Sequence, residues 1–162
     1  MSVEFIDTER ASYNINGHSL AAVAEAISQK DEAGMTEWFP RYDYEVTGDN
    51  LSSVTVTVRT KITMPQWTEY RSACQLEKDE WDRFVTALET HEQGHIDLIV
   101  QYLSNVDSQM LGQSLSDAKQ AWEDCLASLR SASEAYDRQS NHGRNQGTII
   151  DTSVGMRARG AF

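Results

Sequence analysis

Residues 81–106 read WDRFVTALETHEQGHIDLIVQYLSNV, and this stretch decides the fold. Trp81, Phe84, Val85, Leu88, His95, Ile99, Tyr102, Leu103 and Val106 recur at three- and four-residue intervals. That period predicts one long amphipathic helix with a single apolar stripe. Along it, His91-Glu92-Gln93-Gly94-His95 sets two imidazoles at i and i+4, one turn apart on one face. Imidazoles so spaced can reach one zinc ion at about 2.0–2.1 Å. Glu92, adjacent to the first histidine, can then take a proton from a water that the metal acidifies, the chemistry of a metallopeptidase motif. His95 falls within the apolar stripe, where an imidazole needs a buried partner. Gly94 costs a helix interior about 1 kcal/mol relative to alanine, so it points to something approaching the helix closely.

Downstream, a break near Gly112 precedes Leu115, Ala118, Trp122, Cys125, Leu126, Leu129 and Tyr136, which predict a second long helix antiparallel to the first. Upstream the period changes to two. Val54, Val56, Val58, Ile62 and Met64 alternate with Thr55, Thr57, Arg59, Lys61 and Thr63, a half-buried strand rich in β-branched residues. Trp38, Tyr42, Tyr44 and Val46 alternate around Pro40, and Gly48-Asp49-Asn50 is a turn. Together they predict an antiparallel hairpin ended by Pro65. Two extended stretches, Val3–Ile6 and Ala11–Ile15, precede a helix capped by Ser19 and carrying Leu20, Val23, Ala24 and Ile27. The expected class is α+β: N-terminal strands and helix, a hairpin, then two long helices over one sheet face. Residues 1–147 form the expected domain and 148–162 a C-terminal tail. Arg157 and Arg159 belong to that tail, which either stays apart or occupies a cleft.

The chain has 162 residues, 40% hydrophobic and 24% charged, enough for one buried core. No apolar run approaches the roughly 20 residues that span a bilayer, and MSVEFIDTERASY lacks the basic and apolar regions of a secretory signal. The formal net charge is −11, with the excess acid in residues 1–137. Such a body repels a phosphate backbone, so nucleic acid is not an expected partner. Cys74 and Cys125 do not form a CxxC pair; they read equally as one disulfide or two thiols.

Catalytic zinc usually takes three protein ligands plus water. An extended motif would place a third histidine at 101, where Gln101 stands. Glu123, Glu134, Asp137 and His142 are the downstream candidates. His142 lies in a glycine-containing segment, residues 136–147, where helical period stops. Glu134 is also compatible with two antiparallel helices. Tyr136 is a candidate for stabilising the oxyanion, Asp137 for orienting a ligand histidine, and Arg144 for binding a substrate carboxylate.

The pieces resemble, in order and spacing, the bacterial family of predicted secreted zinc-dependent proteases long catalogued as a domain of unknown function. The resemblance runs from about Tyr13 to Gly147. It includes Tyr13-Asn14-Ile15-Asn16-Gly17, Ile62-Thr63-Met64-Pro65-Gln66-Trp67, Trp81 and Phe84 before the HExxH motif, then Tyr136-Asp137, Asn141-His142-Gly143 and Gln146-Gly147. It implies a compact zincin-like fold, with His91, His95 and His142 as ligands of one zinc ion and Glu92 as general base. It also implies export to the periplasm or outside the cell, which the two cysteines fit and the missing signal does not; the cytoplasm stays open.

The expected function is thus a zinc-dependent endopeptidase acting on a peptide or protein substrate, as a monomer. The alternative is a zinc-binding or protein-interaction module without catalysis.

Overall fold

The computed structural model describes residues 2–158, with side chains through Met156. The fold is α+β. Strands β1 (Ser2–Phe5), β2 (Glu9–Ile15), β3 (Met35–Thr47) and β4 (Asn50–Trp67) form one four-stranded sheet. Helix α1 is Leu20–Ser28, α2 Gln75–Leu103, α3 Val106–Met110, α4 Leu115–Ser140 and α5 Ser153–Ala158. Among the described residues no helix is long and apolar enough to cross a membrane.

β4 organises the sheet. It lies between β1 and β2 and also pairs with β3. β1 runs parallel to it, with Ser2 opposite Thr55 and Phe5 opposite Val58. Two residues, Gly48 and Asp49, connect β3 to β4, and Gly48 takes a φ of 65° that a side chain would resist. β4 continues through Pro65 to Trp67, beyond the end expected from the proline. A proline removes one ladder donor, but its fixed φ is compatible with extended backbone.

The chain divides into two compact units. The first gathers the described residues through Glu9, with Thr36–Lys61 and Gly94–Arg138. Within it Leu51, Val54, Val56 and Val58 of β4 are buried, the three valines at the two-residue spacing of one strand face, and Ile99, Leu103, Val106, Met110, Leu126 and Leu129 are buried on the helices. The Tyr42 and Trp122 rings meet at 4.8 Å between centroids. The α3–α4 connection is tied to β4 by Leu51 N–H to the Gln113 carbonyl and Gly112 N–H to the Leu51 carbonyl. The long helical stretch also breaks earlier than the apolar period suggested, at Ser104-Asn105, so Val106 opens the short helix α3. Apolar residues can keep their spacing across such a break, so periodicity alone does not reveal it.

The second unit comprises Arg10–Met35, Ile62–Gln93 and the described residues from Gln139 on. Its core is Ile15, Leu20, Val23, Trp67, Trp81, Phe84, Leu88 and Ile150. Trp81 packs at a tilt between Trp67 and Phe84, with centroids 5.6 and 5.5 Å away. α1 begins as its sequence dictates: the Ser19 hydroxyl accepts from the Ala22 N–H. The Leu20 N–H, another donor that the helix cannot satisfy itself, donates to the buried Glu77 carboxylate at 2.9 Å. Cys74 and Cys125 are both free thiols, the first exposed and the second buried. Burial pushes the Cys125 thiol above its ordinary pKa. The side chain of Arg157, and Arg159 entirely, lie outside the described residues.

Candidate metal centre

α2 carries His91, Glu92 and His95 as its spacing requires. His91 is 4% exposed and Glu92 3%; His95 is partly buried. Each imidazole has one nitrogen engaged by an uncharged side chain. His91 Nδ1 lies 2.8 Å from Gln146 Oε1, and because an amide oxygen only accepts, Nδ1 carries the proton. The remaining lone pair is then on Nε2. His95 Nδ1 lies 2.7 Å from the Ser133 hydroxyl, and its Nε2 faces Asp137 Oδ1 at 3.0 Å. Ser133 and Asp137 are one turn apart on α4, so the same helical spacing that pairs the histidines pairs their partners.

One ligand atom from each of His91, His95 and Asp137 lies within 4.8 Å of the other two. A group of this kind can hold a metal ion. Two imidazoles and a carboxylate match the donor preferences of zinc, and adjacent donors of a tetrahedral zinc stand about 3.3 Å apart. A cation would take the place of the proton that now joins His95 to Asp137. Donor chemistry therefore fits the group that the motif implies, and the 3.0 Å between His95 Nε2 and Asp137 Oδ1 is close to that donor spacing.

Three glycines make room for the side chains of the site. A Cβ on Gly94 would lie 2.5 Å from the Tyr136 Cζ and still closer to its hydroxyl, so the phenol rests directly on the helix backbone. The same ring meets His95 edge-on at 4.9 Å. The mid-helix glycine thus admits Tyr136. Gly143, at a φ of 83°, would set a Cβ 2.9 Å from His91 Cγ, so its backbone is the wall against which that imidazole lies. Glu92 is backed by Gly34 in the same way, a Cβ there falling 2.9 Å from Oε1.

His142 is exposed, on the turn after α4, with a left-handed φ of 55°. It is not in the three-residue group, which Asp137 completes. Glu134, Glu123 and Arg144 are likewise exposed and outside that group. Gln146 and Ser133 were not singled out by sequence reasoning. Gln146 does stand in the glycine-flanked segment 136–147, which was the available signal, whereas a serine within a helix gives none.

The segment after Gln146 is strapped onto α2. Arg83 donates to the Gly147 carbonyl at 2.9 Å and to the Ile149 carbonyl at 2.5 Å, while Glu80 accepts from the Asp151 N–H at 2.8 Å. Glu80 and Arg83 also bind each other through two hydrogen bonds, at 2.8 and 2.6 Å. Those bonds hold the Glu80 carboxyl below the usual carboxylate range and raise the Arg83 guanidinium. Between these anchors, Ile150 is 8% exposed within the aromatic core.

The chain belongs to DUF922, a family of bacterial proteins of unknown function, whose profile matches residues 10–143. No curated protein and no solved structure matches it. The matched span ends at Gly143, so it includes His91, Glu92, His95 and Asp137.

Proposed function

We propose that the protein is a zinc-dependent peptidase with a zincin-like site, hydrolysing peptide bonds. The observation that carries this reading is the convergence, within 4.8 Å, of ligand atoms from His91 and His95 on the helix that also bears Glu92, and from Asp137 on α4. Zinc bound there would supply a Lewis acid that polarises the scissile carbonyl and acidifies water. His91, His95 and Asp137 would hold it, with His142 the alternative third ligand carried by the resemblance. Glu92 takes a proton from the water that adds to the carbonyl carbon, then gives it to the amide nitrogen as the C–N bond breaks. One peptide and one water become a carboxylate and a protonated amine. Tyr136 donates a hydrogen bond to the oxyanion as it forms.

Zinc per chain, measured in the parent protein and in Asp137→Ala, His95→Ala and His142→Ala, tests the ligand set. The expectation is about one zinc in the parent and in His142→Ala, with marked loss in the other two. Loss in His142→Ala with retention in Asp137→Ala would exchange the third ligand. Absence of zinc from the reconstituted parent would end the metal reading. Glu92→Gln is expected to keep its zinc and lose hydrolysis of a peptide library.

A second reading, a metal-binding module without turnover, draws on the deep burial of Glu92 against Gly34. A zinc-loaded parent that cleaves no member of the library would favour it.

A further inference from the structure

We infer that Gln146 is a positioning residue of the metal centre, and that the C-terminal strap is what holds it there. The inference rests on the metal-binding reading above and extends it to a segment beyond the residues matched by the family profile. His91 lies in a helix, but its imidazole can still rotate about two side-chain bonds and carry its proton on either nitrogen. Only one combination points the Nδ1 proton at Gln146 and leaves the lone pair on Nε2 for a metal. Three features on the second unit impose it. Gln146 Oε1 accepts from Nδ1 at 2.8 Å, which fixes the tautomer. The Gly143 backbone lies against the ring, limiting its rotation. Gln146 itself belongs to a single 3-10 turn, Arg144–Gln146, flanked by left-handed Gly143 and Gly147.

Such a short turn has little stability of its own. Its far end is secured by Arg83, which binds the carbonyls of Gly147 and Ile149, and by Glu80, which binds the Asp151 N–H. Ile150 anchors the same residues by burial. Arg83 and Glu80 lie two to three turns before His91 on α2, too far along the axis to touch a metal. They act on the site through the backbone that carries Gln146. The C-terminal segment is therefore a support of the centre, opposite in sense to a tail that blocks it.

The test uses the full chain and three variants: Gln146→Leu, which removes the acceptor; Gln146→Glu, which keeps one; and Arg83→Met, which releases the strap. Zinc affinity is read by competition with a chelator, and the His91 tautomer by nitrogen NMR of the metal-free protein. Loss of one partner of a ligand histidine typically costs about 10–100-fold in metal affinity. Gln146→Leu is expected to fall in that range and to lose the Nδ1–H tautomer, with the metal-free melting temperature unchanged. Gln146→Glu should recover both. Arg83→Met should weaken zinc binding in the parent and add nothing in the Gln146→Leu background. Parent-like affinity and tautomer in Gln146→Leu would overturn the inference while leaving the metal reading intact. A parent that binds no zinc would overturn both, and an Nε2–H tautomer in the metal-free parent would overturn the inference alone.

Discussion

Gly94 and Tyr136 occupy space that only one of them can enlarge. Alanine at 94 gains about 1 kcal/mol of helix propensity, yet its methyl group would sit within the phenol. Overpacking of this kind costs about 1–3 kcal/mol. Gly94→Ala is therefore expected to be destabilised in urea melts, and Tyr136→Ala to rescue it, giving a non-additive cycle. Two single effects that simply add would show that the ring moves aside at no cost. The same two residues illustrate what a sequence can disclose about a site. His91, Glu92 and His95 are legible because a helix fixes their relative placement by spacing alone. Gly94 announces a close neighbour but not its identity. Ser133 reaches His95 only through folding, so it looked no different from any other polar residue of α4, and Asp137 stood among several downstream candidates with nothing local to choose it.

At the scale of elements, the alternation of Val54 to Met64 and the Ser19 cap were readable, because each rests on contacts within a few residues. The parallel partner of β4 was not, since nothing local in Ser2–Phe5 encodes the strand it will meet. Nor was the strap legible: residues 147–151 have no period, and their order comes from Glu80, Arg83 and the core. Phe84 lies at that core's centre beside Trp81, and Phe84→Ala should cost about 3–5 kcal/mol in chemical denaturation. The strap also makes an acid-sensitive joint. Glu80 has a folded pKa below its ordinary 4.5, so its contribution is complete above that value and is lost as the pH falls through the folded one. Protection of the Asp151 amide against hydrogen exchange should fall over that range, and Glu80→Gln should remove the dependence. Protection that stays constant from neutral pH into acid would show that Arg83 and Ile150 hold the segment without Glu80.

For the whole molecule, a metal bound only by the native state adds stability by mass action. Free zinc at about 1,000 times its dissociation constant should contribute roughly 4 kcal/mol, read as a rise in melting temperature that a chelator reverses. Identical melting with and without zinc would separate the centre from the fold. With both cysteines as thiols, the same melting temperature is expected in the presence of a reductant. The central position of β4 also has a consequence in time. β1 and β2 are made first, but the strand lying between them ends only at Trp67. A ribosome adding about 5–20 residues per second leaves the two early strands waiting several seconds with their edges unsatisfied. The segment carrying β1 and β2 is then the part of this sheet that waits longest for its partner.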